Sequence, residues 1–284
     1  MLAESALPSW QPHPEIWLLI AGLIALGLYT SKVIEPTVVA RGGQPITAAQ
    51  KRWFLAGVAL LWLASDWPIH DVSEERLYSV HMLQHLLYSV VVPPIMLLAT
   101  PEWLGRLILG DGRVMKWFRR LARPIPAAIA YNAVIAFTHW TWAVNNSIQS
   151  GPLHYTFHIL VVGTSLLAWV PVFGPFPEMR VSPPAQMVHI FLLSVIPTIP
   201  SSWLTASEGV VYTGYDHGPR LFGLSVTADQ QLAGVMMKIT GGFYLWALIL
   251  VIFFRWVGQD RTPNNQFRGK LVPSKPADRV DEPV

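Results

Sequence analysis

No cysteine occurs among the 284 residues. That excludes disulfides, iron–sulfur clusters, thiolate zinc sites, covalently attached c-type haem and a cysteine nucleophile. Charge is scarce as well: Asp, Glu, Lys and Arg make up 13% of the chain, where a soluble domain carries about 25%. The 20 basic residues outnumber the 17 acidic ones by a net charge of only +3, too small a surplus to argue for a nucleic-acid partner. What stands in place of charge is apolar: 52% of the residues are hydrophobic and the mean hydropathy is +0.39. Such a chain belongs in a lipid bilayer. Its nine histidines and eight methionines are what remains for soft or borderline metal chemistry.

A hydrocarbon core about 30 Å thick is crossed by roughly 20 helical residues rising about 1.5 Å each. Seven apolar runs approach that length, at residues 16–34, 53–68, 80–99, 124–144, 155–173, 185–204 and 232–256. Pro93 and Pro94, Pro197 and Pro200, and Gly241 and Gly242 punctuate three of them, and kinks are expected there. The first run lacks the basic n-region and small-residue cleavage site of a signal peptide, so it is expected to persist as a helix. The sequence thus predicts an all-α, integral membrane bundle of seven transmembrane helices over residues 1–258. The segment 259–284, polar with four prolines and mixed charge, reads as a disordered tail.

Basic residues stay on the cytoplasmic side of a membrane. Lys32, Arg41, Lys51 and Arg52 fall between the first two runs, and Arg106, Arg113, Lys116, Arg119, Arg120 and Arg123 between the third and fourth. Arg180 follows the fifth, and Arg255, Arg261, Arg268, Lys270, Lys275 and Arg279 close the chain. The alternate set of connections holds only Arg76 and Arg220, a split of 17 against 2. The expected orientation is N-terminus outside and C-terminus cytoplasmic.

With that orientation, eight of the nine histidines fall toward the outer face, His189 being the exception. His81 with His85 and His154 with His158 are spaced four apart, which puts each pair on one helix face a turn (about 5.4 Å) apart. Both doublets open helices that start at the outer surface, and His139 arrives at a similar depth from the opposite direction. Asp66 adds a carboxylate, and Met82, Met236 and Met237 add thioethers. Imidazole serves both oxidation states of copper and thioether selects Cu(I), so copper is the expected ligand. Plainer roles compete. Asp66 could pair with Lys238, a base costly to leave alone in a membrane, and Met236 and Met237 could simply fill core gaps. His13 and His217 read as solvated, while His70 beside Asp71 is undecided. The 13 tryptophans read mostly as interface anchors.

The run Trp67-Pro68-Ile69-His70-Asp71, then Tyr78-Ser79-Val80-His81-Met82-Leu83-Gln84-His85-Leu86-Leu87 and Pro93-Pro94, resembles the signature of the CtaG-type cytochrome c oxidase assembly factors. His154-Tyr155-Thr156-Phe157-His158 and the stretch Asp229-Gln230-Gln231-Leu232-Ala233-Gly234-Val235-Met236-Met237 are similar to other recurrent blocks of that family. Lys238 departs from it, standing where an aromatic is expected. The resemblance implies a multi-pass protein of the bacterial inner membrane, not an enzyme, that works with cytochrome c oxidase subunits by delivering or inserting copper. It singles out His81, His85, His154, His158 and Asp229; from the residues alone, Asp229 reads as an exposed loop acid or a helix cap. Two other classes fit the histidines less well. A b-type haem protein needs one histidine from each of two facing helices, which leaves the doubling unexplained. An intramembrane zinc hydrolase needs a paired catalytic acid, and no acid here has a spacing that marks it.

Overall fold

Proline and a few polar side chains decide where the helices begin. Pro14, Pro124, Pro152 and Pro183 occupy first turns, where the missing N–H would have had no intrahelical partner anyway. Thr47 accepts from the Gln50 amide while Gln50 accepts from the Thr47 amide, closing a capping box. Ser225 accepts from the Ala228 amide in the same way.

In this computed structural model residues 7–217 and 220–260 are described, and among them there is no strand. The helices are α1 (Pro14–Ala40), α2 (Ala48–Ser65), α3 (Ile69–Glu75), α4 (Tyr78–Ala99), α5 (Glu102–Leu109), α6 (Arg113–Leu121), α7 (Pro124–Thr138), α8 (Thr141–Ile148), α9 (Gly151–Phe173), α10 (Pro183–Ala206) and α11 (Val226–Gln259). Short 3₁₀ turns lie at Pro177–Met179, Thr213–Tyr215 and Leu221–Gly223.

Among the described residues five helices, α1, α4, α9, α10 and α11, are long and apolar enough to cross a membrane, and the chain is a multi-pass membrane protein. The expected count of seven is larger than this. The second run forms α2, whose first five residues include Lys51 and Arg52 and which falls short of the five in apolar character. The fourth run stops early: α7 has 15 residues, about 22 Å at 1.5 Å each, and makes a sixth span only together with α6, from which it bends by 76°. The segment expected to be disordered lies, from residue 261 onward, outside the described residues.

α4 is the central helix, with 56% of its most apolar stretch buried against 17% for α1. It packs on α2, α3, α9 and α11, while α10 packs on α7 and α11. Pro93 shapes it. A proline has no amide to give the carbonyl four residues back and crowds it sterically. The backbone widens into a π turn at Leu87–Val91, and the freed Ser89 carbonyl accepts from Trp169 Nε1 of α9 at 2.9 Å. α11 has a matching π turn at Met237–Gly241.

Gly234 sets the approach of α11 to α10. A Cβ there would lie 2.6 Å from the Ser201 carbonyl oxygen and from Thr205 Oγ1, and 2.8 Å from the Thr205 amide. Gly234→Ala should therefore lower the thermal unfolding temperature of the purified protein, at a cost of about 1–3 kcal/mol. Gly163→Ala on α9, which meets nothing within 4 Å, should not lower it.

Candidate metal centre

The two histidine doublets lie on the first turns of α4 and α9, side by side at one end of the bundle. Within each, the imidazole centroids are 4.4 Å apart for His81 and His85 and 4.2 Å for His154 and His158. Across helices, His85 stands 5.0 Å from His158, and His81 stands 5.5 Å from His154 and 6.0 Å from His158. One nitrogen each from His81, His85 and His158 falls within 4.8 Å of the others. His139 joins from the end of α7, its ring 6.3 Å from His85.

These rings are short of partners. Nδ1 of His81, both nitrogens of His85, Nε2 of His139 and Nε2 of His158 are buried without a hydrogen bond, although buried polar atoms are normally paired. His139 shows how one nitrogen is kept available. Its Nδ1 donates to the Ile135 carbonyl at 2.7 Å, which leaves the lone pair on Nε2, as outer-shell carbonyls do for metal-binding imidazoles. Among the rings is a void of about 10 Å³ bordered by Met82, Tyr78 and Tyr215, the size of a single water-sized sphere. Next to it lies a cavity of about 360 Å³ that shares Met82 and His85 and reaches His139, Met237 and Lys238.

His139 is not inside a helix, as its position in the apolar run suggested. α7 ends at Thr138; the amide of His139 still closes the ladder on the Ile135 carbonyl, and the same oxygen also accepts from its ring, a side chain folded back onto its own helix end.

Asp229 is buried at 3% exposure and is no loop acid. Its carboxylate accepts from the Tyr78 amide at 2.7 Å, the Ser79 amide at 3.1 Å and the Ser79 hydroxyl at 2.5 Å. α4 has no cap of its own at Leu77; Asp229 caps it from 150 residues away and offsets the positive end of its dipole. Its part in the site is to fix the first turns of α4, and with them His81 and His85.

Asp66 does not pair with Lys238 and lies apart from the imidazoles. It accepts from Trp62 Nε1 at 2.7 Å, the Trp67 amide at 2.8 Å and Trp17 Nε1 at 3.0 Å. Burial opposes its ionised form, but these three bonds outweigh burial and hold its pKa below the usual carboxylate value. Two tryptophans expected as interface anchors thus clamp a carboxylate. Lys238 is exposed and reaches Ser202 Oγ at 3.5 Å. Met236 lines neither void, whereas Met82 and Met237 do.

Four residues that sequence spacing did not single out for the site lie against it. Gln84, fully buried, donates to the Ala64 carbonyl and to Tyr88 and accepts from Ser73, tying α2 and α3 to α4. Glu74 on α3 places Oε1 2.9 Å from His154 Nε2 and 3.4 Å from His70 Nε2. Burial works against the ionised Glu74, yet the His154 contact and the charges of His154 and His70 hold its pKa below the ordinary value. Burial pushes His70 down in turn, with Glu74 opposing. His13, expected to be solvated, is instead buried, with Nε2 2.6 Å from Asp71 Oδ1. Glu74 follows His70 by four residues, and the i, i+4 rule that found the histidine doublets would have found this pair too. His217 is exposed as expected, and His189 is a core histidine donating to the Ala168 carbonyl at 2.7 Å.

An all-helical membrane protein with buried, unpartnered imidazoles at one end of its bundle is the class these features define. The model of the cytochrome c oxidase caa3 assembly factor family (Caa3_CtaG) matches residues 9–259, and the chain belongs to that family. Comparisons with curated proteins and with solved structures gave no match.

Removing the trans cap should be costly. Asp229→Ala orphans two buried amides and is expected to destabilise the protein by about 2–4 kcal/mol, and Ser79→Ala by about 1 kcal/mol. Thermal unfolding of the detergent-solubilised protein measures both, and a shift for Asp229→Ala no larger than for Ser79→Ala would contradict the capping role.

Proposed function

We propose that the imidazole cluster carries copper as cargo and passes it to the cytochrome c oxidase whose assembly the family serves. The observation that carries this reading is the convergence of His81, His85 and His158 nitrogens within 4.8 Å, buried and unpartnered, around an ion-sized void. His154 and His139 stand close enough to complete a coordination sphere, and Met82 supplies a thioether at the wall. Metal–imidazole bonds are about 2 Å long, so donor atoms around one ion sit within about 4 Å of each other, and small ring rotations close the difference. Imidazole and thioether are donors that copper favours. Without thiolates the site holds the ion less tightly than a storage site would, as suits a carrier that must release it.

The 17 to 2 distribution of basic residues supports an N-terminus outside and a cytoplasmic C-terminus. The cluster, at the N-terminal ends of α4 and α9, then faces the exterior of the bacterial inner membrane. A haem reading fares worse, because haem takes one imidazole from each of two facing helices and so leaves most of the five clustered rings without a role, while the void among the doublets measures about 10 Å³.

The test is direct. Purified protein loaded with Cu(I) and washed should retain copper, and a variant carrying His81→Ala, His85→Ala, His154→Ala and His158→Ala should retain at least about tenfold less, with no haem absorption in either. Equal retention by the two proteins would sink the reading.

A further inference from the structure

A file of polar side chains leads from the imidazole cluster across α3 to the start of α1, and beyond His154 cargo binding as described leaves it unused. His154 is its inner member, 4.2 Å ring to ring from His158. Glu74 Oε1 touches His154 Nε2 at 2.9 Å and His70 Nε2 at 3.4 Å. The His70 ring meets His13 edge-on at 4.8 Å. His13 Nε2 lies 2.6 Å from Asp71 Oδ1, and its Nδ1 lies 3.5 Å from Glu15 Oε1. The file meets the surface at Glu15 and at Glu74, whose side chains are 47% and 37% exposed, while those of Asp71, His70, His154 and His13 are between 3% and 11% exposed. Asp71 keeps Oδ2 buried without a partner, an unusual expense for a carboxylate with only structural work.

We propose that this file is the loading route of the cluster, with Glu74 as the residue that hands the cation from His70 to His154. The inference rests on the copper reading above. Two metal–ligand bonds of about 2 Å span about 4 Å, and both contacts of Glu74 are shorter than that. An ion can therefore be held by the outgoing and incoming ligand together and is never bare. Three carboxylates, at Glu15, Asp71 and Glu74, draw a cation toward the route. Carboxylate is a hard oxygen donor, and softer ligands suit copper better, so the ion rests not on Glu74 but on the imidazoles beyond it. Ligand exchange changes no oxidation state; the proton that an imidazole Nε2 shares with Glu74 moves to the other ring nitrogen or leaves to solvent as the cation takes its place.

Rates separate this from a static ion pair. The full-length protein in detergent is mixed with Cu(I) held by a chromophoric chelator, and both the transfer rate and the final copper per chain are recorded. Wild type and Glu74→Gln should reach the same final copper, with Glu74→Gln about tenfold or more slower, the scale on which charge at a binding mouth alters capture. His13→Ala, at the far end of the file, should slow loading in the same way, so the route stays testable if the Glu74 variant does not fold. Glu74→Asp should recover most of the rate. Equal rates for wild type and the variants would overturn the route. A lower final copper in Glu74→Gln would overturn it as well, by making Glu74 a ligand of the cluster itself. Absence of copper on the wild type is a different outcome, and it overturns the copper reading.

Discussion

The carboxylate of Asp229 holds the first two amides of α4, and the geometry of the histidine cluster follows from that contact. A buried helix terminus with free N–H groups is unstable unless something accepts them. Leu77 offers no side-chain acceptor, so the acceptor comes from the far end of the chain, brought by the packing of α11 on α4. Once Tyr78 and Ser79 are fixed, the pitch of the helix fixes His81 and His85. Gln84, on the opposite side of the same turns, anchors α4 to the Ala64 carbonyl and Ser73. The helix is held from both sides, and its histidines need no hydrogen bonds of their own to stay in place. This explains how four imidazole nitrogens of His81, His85 and His158 can remain buried and unpaired in a well-packed bundle.

Much of this was legible in the sequence because it depends on short spacings. The i, i+4 doublets could be placed on helix faces by geometry alone, and the structure brings all four doublet histidines and His139 into one cluster. The apolar runs likewise marked the long helices. What escaped depends on partners remote in sequence. Asp229 reads as a loop acid until α4 is seen to lack a cap, and Asp66 reads as a partner for Lys238 until Trp17 and Trp62 are found on its Oδ2. The end of α7 is hidden for a related reason: nothing in an apolar run announces that the ring of His139 will fold back beside its own amide onto the Ile135 carbonyl. Hydropathy measures whether a segment can lie in lipid, not whether its backbone stays helical to the end.

The cavity beside the cluster has its own origin in helix irregularity. Pro93 widens α4 into the π turn at Leu87–Val91, and the π turn at Met237–Gly241 widens α11. Residues of both turns, among them Ser89, Val90, Lys238 and Gly241, line the space of about 360 Å³. A cylinder with 3.6 residues per turn packs without such gaps, whereas two neighbouring helices that each carry an extra residue in one turn cannot close on each other there. The Ser89 carbonyl freed by this distortion is satisfied by Trp169, so the widened turn is stable and not merely tolerated. Met82 and His85 stand on the wall between the ion-sized void and this larger space. The same proline that distorts α4 therefore opens, one turn below the cluster, the room into which His85 and His139 both face.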